Sequence, residues 1–143
     1  MRHILVPIDT GHAARTRSAI DQVLELHRKE PSVIHLLRVQ PPVSGHVSAF
    51  FQPAELHALQ VEWGHEELQP AQRQLDAAGV PYLSEVRVGH SAQTIAAVAR
   101  EHACDRIIFG VEAPGLAERL FGSLAQQVRH LMVGQGDAQV LGS

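Results

Sequence analysis

The chain has 143 residues, a formal net charge of −3 and 45% hydrophobic content, with a mean hydropathy near zero. These values fit one globular domain with a sizeable core and exclude a disordered chain. Twelve basic residues stand against fifteen acidic ones and form no basic stripe, so nothing points to nucleic acid.

Short β-rich runs alternate with longer helical segments along the whole chain. Residues 3–8 read as a first strand, with Pro7 near its C-terminal end because it cannot donate to a ladder. A helix over 12–29 follows, its buried stripe carried by Ala19, Ile20, Val23, Leu24 and Leu26. Val33 to Val39 is a second strand, apolar almost throughout, as a strand covered on both faces should be. Residues 40–52, with Pro41, Pro42, Gly45, Phe50 and Phe51, read as a loop. Pro53 suits the first turn of a long helix over 53–78, and Gly79 stops it. Val80 to Val88 is a third strand, and Ser91 is placed to cap a helix over 92–103. Arg106 to Phe109, a helix over 122–132 and a short strand from Ala138 to Leu141 complete the series.

Five strands and four helices in alternation predict an α/β fold. The sheet is a single open, doubly wound, five-stranded parallel sheet with helices on both faces, formed by one domain over residues 1–143. In that architecture ligands bind beyond the C-terminal strand ends, where the strand order reverses. The candidate site residues are then those just after strands: Pro7 to Thr10, Val39 and Gln40, Gly89 and His90, and Gly110 onward.

Three segments resemble the universal stress protein (UspA) family. Ile4-Leu5-Val6-Pro7-Ile8-Asp9 resembles its opening strand. Val86 to His90, Ile95 to Ala99 and Asp105 to Gly110 resemble its third strand, third helix and fourth strand. Gly122-Ser123-Leu124-Ala125-Gln126-Gln127-Val128 resembles the start of its last helix. The resemblance implies an adenine nucleotide alpha hydrolase-like fold and, in the members that bind ATP, the pattern Gly-x2-Gly-x9-Gly-Ser/Thr after the fourth strand. Gly110 and Gly122-Ser123 match its ends. The middle glycine position is Ala113, the span is one residue short, Pro114 lacks an N–H donor and Glu112 adds negative charge. Gly115 stands nearby as a substitute.

Two readings follow. In the first, the protein binds an adenine nucleotide such as ATP as a regulatory ligand without efficient turnover. By the resemblance, Pro7, Asp9 and Val39 frame the base and sugar, and Thr10 lets the chain turn away. Phe109, Gly110, Gly115, Gly122 and Ser123 frame the phosphates, with Mg²⁺ carried on them. In the second, these glycines serve a strand end, a turn and a helix cap. The protein is then a dimeric interaction module without a nucleotide site. Either way the resemblance implies a homodimer through the last strand, and no enzyme is expected because no catalytic constellation is present.

The remaining chemistry-bearing residues read as structural. His57 and His65 lie eight apart with Val61 midway, so the spacing of a helical zinc pair is absent and no metal site is expected. His12 and His90 fall near the ligand edge; the other histidines read as surface or half-buried residues. Glu55, Glu62, Glu66 and Glu67 read as a solvated helix face. Cys104, the lone cysteine, reads as a buried inert thiol. Asp9 ends the first apolar run well short of a signal-peptide core, and no run approaches the ~18 residues of a membrane span. A cytoplasmic location is therefore expected, with no membrane or nucleic-acid partner. Phe50 and Phe51 are left open among sheet edge, partner contact and core.

Overall fold

The computed structural model describes residues 2–9, 13–43, 45, 49–110, 124–133 and 139–141. Among them lie five strands and four helices in alternation: β1 (Arg2–Pro7), α1 (Ala13–Lys29), β2 (Ser32–Gln40), α2 (Pro53–Ala77), β3 (Tyr82–Val88), α3 (Ser91–Glu101), β4 (Arg106–Ile108), α4 (Leu124–Met132) and β5 (Gln139–Leu141). The strands form one parallel sheet in the order β3-β2-β1-β4-β5. Leu5 of β1 lies between His35 of β2 and Ile107 of β4, which sets the register at the centre of the sheet.

The period-two alternation of β1 and β2 divides the core into two layers. Ile4, Val6 and Ile8 join Ile34 and Leu36 on one face, under Ile20 and Val23 of α1 and Leu68 and Leu75 of α2. Leu5, Leu37 and Val39 point to the other face, under Ile95 and Val98 of α3 and Val128 of α4. Each fully buried aliphatic side chain contributes roughly 1.5–3 kcal/mol of transfer free energy.

Most elements lie where the sequence places them, and the differences are at their ends. The third strand begins at Tyr82, not Val80. The Val80 N–H is taken by Leu75 O and the Gly79 N–H by Asp76 O, which closes α2. Gly79 has φ +71°, the left-handed conformation such a closure requires. Pro81 then offers no N–H to a ladder. Ser91 is not a cap: α3 starts on it, and His90, in extended conformation, is the N-cap without a side-chain hydrogen bond. The same helix stops at Glu101, two residues early. Ala103 takes φ 51° so that the Cys104 N–H can reach Ala99 O at 2.8 Å.

Three expectations about single residues also change or resolve. His35 is buried, not half-exposed. Glu67 leaves the solvated face of α2 and turns inward to Arg38 and Gln40. Phe50 is 77% exposed and Phe51 38%, so neither enters the core. Cys104 is buried as expected, and burial, helped by Asp105, pushes its thiol up to about 12. No described helix is long and apolar enough to cross a membrane.

Candidate functional site

The chain leaves β1 for β2 and β3 on one side, then crosses back to lay β4 and β5 on the other. The order reverses between β1 and β4, so the connections from these two strands run to opposite sides and leave a crevice beyond their C-terminal ends. A cleft opens at that place. Its floor is apolar: Pro7 and Ile8 from the end of β1, Leu37 and Val39 from β2, Ile95 from α3 and Phe109 after β4. Its polar groups are Asp9, Arg15, Thr16, Arg38 and Ser91. Gly110 and Leu124 complete the wall beside β4.

Asp9 lies just past β1 with its carboxylate 46% exposed, and Arg15 of α1 donates from Nη1 to its Oδ2 at 3.0 Å. Arg15 is only 19% exposed and is the more buried partner of the pair. Arg38 projects from β2 toward the α2 side, where Nε pairs with Glu67 Oε2. Its Nη1 reaches the Ile8 carbonyl at 3.5 Å. Both arginines reach the cleft, and among the described residues Arg15 pairs with Asp9 and Arg38 with Glu67. The site is thus an apolar slot with two paired cations at its rim, a layout suited to a flat ring with an attached anion.

Gly110 has a separate structural reason to be glycine. A Cβ built there would run into the backbone of Arg15, including its carbonyl oxygen. The absence of a side chain lets the first turn of α1 close onto the end of β4, and this contact delivers Arg15 to Asp9. Close packing of helix on strand therefore accounts for this glycine, whatever the cleft binds.

The structure brings together Pro7, Asp9, Val39, Phe109 and Gly110 from the sequence-based site. Thr10, Gly115, Gly122 and Ser123 lie outside the described residues, as do Glu112, Ala113, Pro114 and His12. Gln40 does not join the site: it is buried, and its amide donates to Gln60 O at 2.9 Å and to Glu67. Gly89 and His90 also stand apart; His90 borders a neighbouring groove between α3 and α4. Sequence reasoning missed Arg15 and Arg38. Each carried a signal: a cation in a first helical turn opposes the helix dipole, and a charge inside a nearly continuous apolar strand needs a partner.

Among the described residues no group of three or more His, Cys, Asp or Glu side chains is placed to hold a metal ion.

A doubly wound α/β protein with a mixed apolar and cationic cleft at its switch point is the class these observations define. The sequence model of the universal stress protein family matches residues 1–132, and the chain belongs to that family. A search of curated proteins returns no match. Among solved structures, a universal stress protein in complex with cAMP is 18% identical over 99% of this chain and 96% of that one, with a TM-score of 0.71. Universal stress protein UspA from Lactobacillus plantarum is 21% identical over 99% and 96%, with a TM-score of 0.69. A universal stress protein family protein from Arabidopsis thaliana with AMP bound is 15% identical over 99% and 90%, with a TM-score of 0.62. At these identities the likeness shows the fold.

Proposed function

We propose that the cleft binds an adenine nucleotide as a regulatory ligand and does not turn it over efficiently. The observation that carries this reading is the apolar slot at the switch point with Asp9, Arg15 and Arg38 on its rim. Two fold relatives, one in complex with cAMP and one with AMP bound, support it. In this reading Pro7 and Val39 sandwich the base, and Asp9 takes hydrogen bonds from the base or ribose. Arg15 turns from Asp9 toward a phosphate. Phe109 and Gly110 border the phosphate path, which continues over Gly115, Gly122 and Ser123; a triphosphate would carry Mg²⁺ on its own oxygens. Thr10 serves the turn out of the site.

The reading includes a cytoplasmic location, with which a lone buried thiol is compatible. It also includes a symmetric homodimer in which β5 pairs with its copy, supported by the position of β5 at the sheet edge.

A second reading, an interaction module that takes no nucleotide, is favoured by one observation. Arg15 already engages the Asp9 carboxylate, and its backbone fills the space beside Gly110. Thermal unfolding with ATP, ADP, AMP or cAMP, with and without Mg²⁺, separates the two. A ligand at a hundredfold excess over Kd adds about 2.7 kcal/mol, several degrees in Tm for a chain of this size. A shift of that order with at least one nucleotide is expected. An unchanged Tm with all four at millimolar concentration would overturn the first reading and leave the second.

A further inference from the structure

We propose that His3, His35 and His102 form a proton-sensitive latch that holds the C-terminal end of α3 on β1 and β2 and releases it on acidification. The three residues come from distant parts of the chain. His3 and His35 point to the α3 face from neighbouring strands, and His102 is the C-cap of α3. His3 Nδ1 and His35 Nε2 are 2.9 Å apart, hydrogen-bond distance. The His3 and His35 ring planes are inclined by 26° with centroids 5.2 Å apart, and the His35 and His102 rings stack at 4.7 Å with an interplanar angle of 25°. His3 and His35 thus meet edge to edge through their ring nitrogens, and His102 packs against His35 on another side.

The bond between His3 and His35 needs one N–H and one bare nitrogen. A single proton added to the pair keeps it; a second sets N–H against N–H and places two cations side by side. The titratable groups facing His35 are His102 from the end of α3, His3 from β1 and Glu85 from β3. Only Glu85 is acidic, and its Oε1 lies 3.8 Å from His102 Nε2. Glu85 is also engaged by Arg87, which bridges to Glu101 on α3. The carboxylate that would stabilise a charged stack is thus already shared.

Burial, then His102 and His3, lower the pKa of His35 from 6.5 to about 4. The unfolded chain takes up this proton first. The contribution of the latch is therefore complete above pH 6.5 and falls away as the pH drops toward 4. A cavity bordered by Leu5, Leu37, Val98, His35 and His102 gives the opened stack room for water.

The latch joins the three elements that also build the cleft. β1 carries His3 and Pro7, β2 carries His35 and Val39, and α3 runs from Ser91 and Ile95 at the cleft to His102 at the stack. Releasing α3 at one end loosens one wall of the cleft at the other, whatever that cleft binds.

The test is made on the full chain without ligand, from pH 7.5 to about 3.5, below the His35 midpoint. Histidine ring resonances are followed by NMR, and amide exchange over 91–102 is corrected for the intrinsic pH effect. His35 is expected to titrate below the ordinary histidine midpoint, and α3 protection to fall at least tenfold over the same range. In His35→Gln, which cannot take the proton, α3 protection stays flat with pH. In His102→Gln, at a more exposed position, the His35 midpoint moves up and the response of α3 becomes shallower. An ordinary midpoint for His35, α3 protection that ignores its titration, or an undiminished response in both variants overturns the latch.

Discussion

At the scale of single residues, the cleft is governed by the contact between Asp9 and Arg15. An ion pair with one partner this exposed contributes about 0–1 kcal/mol to folding. Arg15→Ala is therefore expected to change unfolding free energy by about 1 kcal/mol or less. Its effect on ligand is expected to be larger and selective. If Arg15 turns to a phosphate, the variant loses at least tenfold affinity for AMP, about 1.4 kcal/mol, while adenosine binds as before. Calorimetric titration with both ligands checks this; equal losses for both would show that Arg15 shapes the slot and does not read the phosphate. The legible part of the site was the part set by position along strands. Pro7, Asp9, Val39, Phe109 and Gly110 all fall at or just past strand ends, where a parallel sheet presents its ligand edge. Arg15 was not legible in this way, because it reaches the cleft only through the packing of α1 on Gly110. The sequence reads Gly110 as room for a phosphate, and its missing Cβ also makes room for the first turn of α1.

At the scale of elements, periodicity located the four long helices and the five strands, since 3.6- and 2-residue repeats are averaged over many residues. Ends depend on one or two hydrogen bonds and were misplaced wherever those bonds were not visible in the sequence. The end of α3 shows the cost of one such end. Its closing turn places Ala103 at φ 51°, a conformation in which a Cβ costs roughly 1–2 kcal/mol. The Ala103 N–H bonds Arg100 O and the Cys104 N–H bonds Ala99 O, so the turn is held in place despite that strain. Glycine at this position is the ordinary choice. Ala103→Gly is expected to stabilise the protein by about 0.5–1 kcal/mol, after the added unfolded-state entropy of glycine is subtracted. Urea unfolding measures it as a higher midpoint at unchanged slope. A lower midpoint would mean that Ala103 makes packing contacts worth more than the backbone strain.

At the scale of the whole molecule, strand order decides what is exposed. The alternation of strands and helices made a parallel, doubly wound sheet legible. It did not show that residues 3, 35 and 102 would meet, because that depends on the register of β1 against β2 and on where α3 ends. Among the described residues the order also leaves β5 at one edge, paired with β4 alone. Gln139 N–H bonds Asp105 O, and Leu141 O accepts from Phe109 N–H, so both residues face β4. The residue between them, Val140, turns its N–H and C=O outward, as alternate residues of a strand must. Arg129 of α4 reaches the outward Val140 carbonyl, with Nη2 at 3.3 Å. The N–H of Val140 is the group that a second copy of β5 would use across a two-fold axis. Val140→Pro removes that donor and leaves the bonds to β4 in place, which an edge strand tolerates. Light scattering is expected to give twice the 15.6 kDa chain mass for the parent and a single chain mass for the variant, with unchanged circular dichroism. A monomeric parent at tens of micromolar would refute the dimer, and a dimeric Val140→Pro would move the interface away from β5.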